Sequence, residues 1–291
     1  MRPARYGPFP YSPIVDRKPL RWSNGAYLAV WVIPNIEFFP LNATITNEAQ
    51  IIPNIPAWSQ RDYGNRVAVF RMMDVMAARA IRGTVALNAD VCDEHPRVVE
   101  RALELGWELM GHCETNCLPL TRVPADEEAG VIARTLDRIE AAAGSRPQGW
   151  LGSGLNETWD SLDYLADSGV RYIADWVNDD QPYLMDLGGR TMVSIPYSLE
   201  INDARAIGRH YRSSDEFSAM IRRQFDVLYD EGQVTAKVMA IALHPYLTGV
   251  PHCIGMLADS LDYIAEHDKV WFATGSEIVA DFLAQTSESD S

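Results

Sequence analysis

At 291 residues, with 47% hydrophobic and 22% charged side chains, the chain has globular composition and the length of an α/β barrel that folds as one unit. Forty acidic against twenty-five basic residues give a formal charge of −15, which argues against nucleic-acid or anionic-membrane partners, since both need a basic footprint. No apolar run approaches the roughly 18 residues of a membrane span, and residues 1–22 show no basic start followed by an apolar stretch, so the expected location is cytoplasmic.

One domain over residues 1–291 is expected. Residues 1–25, rich in Pro, Arg, Tyr and Ser, read as an extended arm that wraps the surface or reaches a neighbouring subunit. Ala26 to Ile33 is a continuous apolar run, the pattern of a strand buried on both faces, and it stops at Pro34-Asn35-Ile36-Glu37. Asn42 to Tyr63 carries Pro53, Pro56 and Asn54 with little periodicity and reads as a long functional loop. Helical spacing then marks 66–80, followed by a strand at 84–88.

The alternation continues with helices near 96–105 and 127–143 and strands at 107–111 and 149–151; Gly144 stops the second helix where a C-terminal glycine belongs. Helix 157–167 and strand 171–175 come next, then a strand at 191–196, helix 214–229, strand 238–244, helix 255–265, strand 270–274 and helix 276–285. Residues 286–291 read as a frayed tail. Strands alternating with helices imply a parallel sheet with right-handed crossovers, and a deformed (β/α) barrel is preferred. No Gly-x-Gly-x-x-Gly opens a helix, so a doubly wound dinucleotide fold has no support.

Chemistry is expected where apolar strands end at polar groups, because such ends share one mouth on a barrel. His112 follows one strand and His244 another, in Ala242-Leu-His-Pro245; Glu37 and Asp175 end two more. Taken singly, each is an ordinary buried polar residue, but four titratable groups at four strand ends point to an active site. Phe38, Phe39, Trp150, Trp176, Tyr183 and Tyr246 cluster at the same ends and suggest a flat or apolar small molecule rather than a long sugar chain. Cys92, Cys113, Cys117 and Cys253 should stay reduced, and Cys113-x-x-x-Cys117 with His252-Cys253 is too loosely spaced to favour zinc over inert thiols.

Gly106-Trp-Glu-Leu-Met-Gly-His112, Arg146-Pro-Gln-Gly-Trp150, Asp175-Trp-Val-Asn-Asp-Asp-Gln-Pro-Tyr183 and Leu243-His-Pro245, in that order, resemble the polysaccharide deacetylase superfamily with its NodB-homology fold. The resemblance spans roughly residues 20–285 and is nearest the branch of metal-type allantoinases and cyclic-imide hydrolases. It implies a deformed (β/α) barrel, hydrolysis of a non-peptide carbon-nitrogen bond in a small amide, ureide or cyclic imide, and a homo-oligomer. It further implies a divalent metal, usually zinc, held by a first-strand carboxylate and a His-x-x-x-His pair, with a second acid as base and a late histidine as acid.

Carried over by position, the metal set becomes Glu37, His112 and Asn116, with Asn116 standing where the second histidine is expected. His244 takes the place of the acid, Asp175 joins the catalytic set, and Asn35, Trp150, Trp176, Tyr183 and Tyr246 fall in the substrate pocket. The first motif has one acid where the family has a pair. Either Glu37 is the ligand and Asn35 replaces the base, or Glu37 is the base and Phe38 replaces the ligand. An amide oxygen is a weak zinc ligand, so a metal-independent hydrolase, of this or another bond, and a non-catalytic binding protein stand as alternatives.

Overall fold

Every residue of β1 (Leu28–Ile36) is buried, and the sheet is arranged around it. The further strands are β2 (Thr84–Leu87), β3 (Glu108–Gly111), β4 (Gly149–Trp150), β5 (Tyr172–Ile173), β6 (Tyr183–Leu184), β7 (Val193–Ser194), β8 (Lys237–Leu243) and β9 (Val270–Phe272). The computed structural model describes residues 4–45 and 48–289; among these the strands form one sheet in the order β6-β7-β5-β4-β3-β2-β1-β8, with β9 also paired to β1. β8 takes one edge of β1, while β9 and β2 share the other, at Leu28–Val30 and Asn35–Ile36 respectively. All ladders are parallel except β6 with β7. Between β7 and β8 the sheet curls shut through irregular bonds, Ala242 N to Ile201 O at 3.0 Å and Val238 N to Asp180 O at 2.9 Å. This is a deformed (β/α) barrel.

Alternation along β1 and β8 explains why both read as unbroken apolar runs. Ala29, Trp31 and Ile33 join Val238, Ala240 and Ala242 in a cluster with Met110, Leu151, Tyr172 and Ile195 that fills the barrel. Leu28, Val30 and Val32, with Met239, Ile241 and Leu243, pack outward against the helices Val69–Ala77, Pro96–Glu104, Ser214–Gly232 and Ile254–Ala265. The interior is therefore solid, and a ligand must be bound at the rim. The opposite end is closed by Glu108, whose carboxylate accepts bonds from Tyr172 Oη at 2.8 Å, Thr84 Oγ1 at 3.0 Å and Ser276 N at 3.1 Å.

Several elements depart from the sequence reading. The loop expected over 42–63 ends in a helix, Ile55–Tyr63, capped by the Asn54 side chain and started by Pro56. Only Ala57 of that helix is buried, so it lacks the apolar stripe that reveals a helix. The next helix opens with a π turn at Gly64–Ala68, and the one expected from residue 157 begins at Ser161. β6 was unforeseen because neither of its residues is buried and no apolar run marks it. Gly144 ends its helix at φ 74° as expected. Of the expected frayed tail, 286–289 continue the helix Gly275–Ser289, while 290–291 lie outside the described residues.

Over the described residues 4–25 the arm has no helix or strand beyond the single turn Ile14–Asp16 and docks on its own chain. Arg17 forms a two-pronged ion pair with Asp179, at 2.8 and 2.5 Å, and Phe9 packs edge-on against Trp176 and Tyr183. Among the described residues no helix is long and apolar enough to cross a membrane.

Candidate active site

The strand exits are fastened to one another through the main chain. Asn88, just beyond β2, accepts from Phe38 N at 2.9 Å and donates to His112 O, so it ties the ends of β1 and β3. Phe38 O accepts from Asn116 N at 3.0 Å and from Thr115 Oγ1 at 3.1 Å. Asn65 Nδ2 donates to Glu37 O at 2.8 Å, and Ser153 Oγ to His112 O at 3.1 Å.

Inside this frame, Glu37 Oε1 is the meeting point. It accepts from Asn116 Nδ2 at 2.7 Å and lies 3.7 Å from His112 Nε2 and 3.6 Å from His244 Nε2. The two longer separations are charge contacts rather than formed hydrogen bonds. His112 Nδ1 lies 2.6 Å from Leu151 O; a carbonyl only accepts, so Nδ1 carries a proton, and Nε2 is the ring atom that faces Glu37. His244 Nδ1 lies 2.7 Å from Asp203 Oδ1, while Asp203 Oδ2 accepts from His244 N at 2.8 Å and Thr248 Oγ1 at 2.6 Å. Asp203 has no exposed surface.

Charge states follow from these contacts. Burial alone would lower the proton affinity of His244, yet the carboxylates of Glu37 and Asp203 lift its pKa to about 10, so the ring is an imidazolium at neutral pH. Burial alone would raise Glu37, but the His244 charge and the two nearby imidazoles hold it at about 2. Burial pushes Asp175 up to about 7, with the Gly152 amide and His112 pulling the other way. Asp175 Oδ1 accepts from Gly152 N at 2.8 Å. Glu37 Oε2, His112 Nε2, Asn116 Oδ1 and Asp175 Oδ2 are all buried polar atoms without a hydrogen-bond partner.

These residues do not make the divalent-metal site that the motifs imply. Asn116 offers Glu37 its N–H rather than an oxygen, and His244 brings a positive ring to the same carboxylate. Among the described residues no three His, Cys, Asp or Glu side chains are grouped to hold a metal ion. A cation there would have one carboxylate, one imidazole and at best an amide oxygen, against the repulsion of His244. Cys113 is fully buried, with its thiol pushed up to about 11 by burial, and its role is packing.

The aromatic residues divide. Tyr246 stands at the site, its ring 5.6 Å from that of His244 and 6.5 Å from that of Phe39. The Arg61 guanidinium lies 5.1 Å from the ring centres of both Phe39 and Tyr246. Trp150, expected in the pocket, is wholly buried in the core; the absent side chain of Gly111 makes room for it, since a Cβ there would lie 2.7 Å from the indole. Trp176 and Tyr183 are turned to the arm by Phe9, and Tyr183 donates to Asn178 at 2.8 Å. Tyr183 lines a cleft of about 1170 Å³ under the arm, with Phe9, Arg17, Asp179 and Tyr197, which Glu37, His112 and His244 do not line. Asn35 spends its N–H₂ on Ile33 O and Leu243 O, bracing β1 against β8, and Phe38 packs on the outer core beside His95.

Three site residues were missed. Asp203 lies in an irregular segment with no strand before it to mark an exit. Glu157 read as part of a helix that starts later, although its indole bond from Trp176 Nε1 at 3.0 Å sets it beside Asp175. Tyr197, buried and facing Asn35, had a signal in Pro196-Tyr197 at a strand end.

No family model matches the chain. A Schizosaccharomyces pombe (strain 972) protein provisionally named a polysaccharide deacetylase is 28% identical over 304 residues, covering 93% of this chain and 94% of its own length. The allantoinase PuuE superposes with a TM-score of 0.84 at 23% identity, over 92% of this chain and 94% of that one. A probable polysaccharide deacetylase from Pseudomonas aeruginosa PAO1 gives 0.81 at 24% identity, over 90% and 92%. In sequence, then, the chain is similar to the Schizosaccharomyces pombe protein, and in fold to the allantoinase and to the Pseudomonas aeruginosa protein.

Proposed function

We propose that the chain hydrolyses a carbon-nitrogen bond in a small amide, ureide or cyclic imide, using its own acid and base and no metal step. The observation that carries this reading is the buried pair of ionised Glu37 and protonated His244, 3.6 Å apart and braced by Asp203. A water between Glu37 Oε2 and His112 Nε2 would meet two buried polar atoms that lack a partner. Glu37 takes a proton from that water as it attacks the carbonyl carbon, and His244 gives its proton to the leaving nitrogen.

The two transfers assist each other. Glu37 is a weak base while the His244 charge holds it down; once His244 releases its proton, burial dominates and the carboxylate becomes a stronger base. Direct return of the proton from Glu37 to His244 then resets the site. The lining of unpartnered oxygens favours substrates rich in N–H donors, as ureides and cyclic imides are.

The test is a panel of cyclic imides, ureides, simple amides and matched esters, assayed on chelator-treated protein and again with added zinc. Turnover of an N–H-rich member without metal is expected. If folded protein turns over no carbon-nitrogen substrate under either condition, or turns over only esters, the reading fails.

A further inference from the structure

We propose that Arg61 decides which substrates the site accepts: its guanidinium binds a carboxylate carried by the substrate, and Glu48 is the side chain which that carboxylate displaces. The proposal rests on the hydrolase reading only for where the reacting bond lies. It narrows the substrate class to an amide, ureide or cyclic imide with an anionic substituent a short linker away from that bond.

The guanidinium is half filled. Arginine donates side-on through Nε and Nη2, a fork that matches the two oxygens of a carboxylate. Elsewhere in the chain this fork is complete: Arg79 takes both oxygens of Asp262, at 2.7 and 2.6 Å, and Arg134 both of Glu114, at 3.1 and 3.2 Å. Arg61 has only Glu48 Oε1 on Nη2, at 2.9 Å, with Ala57 O on Nη1 at 2.9 Å. Its Nε is buried and has no partner among the described residues. The Arg61 side chain is 11% exposed, so solvent does not make good the missing bond, and a buried cation with a one-pronged partner gains from a second oxygen. Glu48 is 36% exposed and lies on the loop before helix Ile55–Tyr63, free to turn to solvent when another carboxylate takes the fork.

This fork stands at the rim of the candidate site. The guanidinium lies 5.1 Å from the ring centres of Phe39 and Tyr246, and the Tyr246 ring is 5.6 Å from that of His244. One ring's breadth thus separates Arg61 from the imidazolium. The helix that carries Arg61 is pinned there at its C-terminal end. Gly64 lets it close on Tyr246, since a Cβ would press on Tyr246 N and Cβ at 3.1 Å, and Asn65 Nδ2 donates to Glu37 O at 2.8 Å. Phe39 is fixed from the same helix by Trp58 Nε1, which donates to Phe39 O at 2.9 Å. Two aromatic faces hold the cation and give a flat lining between it and the acid-base pair. A substrate with its carbonyl against Glu37 and His244 therefore meets Arg61 with its far end.

Binding is read without turnover. Calorimetric titration at pH 7 compares pairs that differ only in charge, hydantoin-5-acetate with hydantoin-5-acetamide and succinamate with succinamide. At least one carboxylate should bind about 10- to 100-fold more tightly than its carboxamide, the range of a hydrogen-bonded charge pair. Arg61→Met keeps the apolar stem and should remove that preference by weakening the carboxylate alone, while Arg61→Lys should retain part of it. Glu48→Gln should tighten the carboxylate, because the competing oxygen has lost its charge; if Glu48 and Arg61 only clamp the loop, the same change loosens the site and weakens every ligand. Where a pair turns over, Arg61→Met should raise KM for the carboxylate by a larger factor than it lowers kcat. Circular dichroism checks each fold, and Glu48→Gln carries the test if Arg61→Met does not fold. No charge preference in the wild type, a preference that survives in Arg61→Met, or weaker carboxylate binding in Glu48→Gln overturns the proposal. Turnover without charge preference would remove this proposal and leave the hydrolase reading standing, and charge preference without turnover would do the reverse.

Discussion

Replacing Asp203 by asparagine tests the proton logic of the site at its most buried point. The carboxylate has no exposed surface and accepts three donors, the main-chain N–H and ring Nδ1 of His244 and the hydroxyl of Thr248. Asparagine retains one acceptor oxygen and turns an N–H₂ toward at least one of those donors. The lost charge-assisted bond and the stranded donor together should cost about 2–4 kcal/mol. The His244 pKa is raised from 6.5 to about 10, so the stability it contributes is fully present below pH 6.5 and is lost as pH rises through about 10. Each pH unit of that window is worth about 1.4 kcal/mol, a few kcal/mol in all, shared with Glu37 as a coupled pair. Urea unfolding across pH 6 to 10 should show a falling midpoint for wild type and a flatter curve for Asp203→Asn. The basic limb of the rate profile should also move down from about 10. A folded variant whose pH dependence matches wild type in both assays would refute the assignment of Asp203 as the group that keeps His244 charged.

His244→Ala should lower turnover by about 10²- to 10⁴-fold while far-ultraviolet circular dichroism stays unchanged, and His244→Gln should not recover it, since an amide cannot deliver a proton; full turnover in His244→Ala puts the acid elsewhere. Asn116→His supplies a second imidazole where an amide now stands and should raise zinc affinity in calorimetric titration, whereas chelator-resistant stoichiometric zinc in the wild type would show that other ligands complete a site. Glu37 is lowered from 4.5 to about 2, so its contribution to stability is present above pH 4.5 and lost as pH falls toward 2; Glu37→Gln should flatten the acid side of the unfolding curve, and an unchanged acid side contradicts the ion pair. Light scattering at micromolar concentration should find a homo-oligomer, and a monomer removes that expectation.

The barrel was legible because β1 and β8 are buried on both faces and read as apolar runs, and because strand and helix signals alternate. Helix Ile55–Tyr63 was hidden by its exposure, despite a capping asparagine and an early proline. At the site, His112, His244 and Glu37 were readable as polar groups at the ends of apolar strands. The rule misfired for Trp150, which ends a strand yet points into the core because Gly111 opens a slot for it. It could not reach Asp203, which arrives from an irregular segment and is recognisable only by what it touches. Nor could it reach Glu157, whose meaning depends on a neighbour eighteen positions on that folds back beside it.

The Asn88 side-chain amide joins the ends of two strands by gripping only their backbone atoms, and the Asn65 side chain and Asn116 N extend the same stitching to Glu37 O and Phe38 O. None of these bonds uses the reactive atoms of Glu37, His112 or His244. The rim is in effect a socket that keeps its shape whichever reactive side chains are fitted into it. The side chain at position 116 can thus be exchanged without collapse of the pocket, because this residue joins the frame through its backbone N–H to Phe38 O.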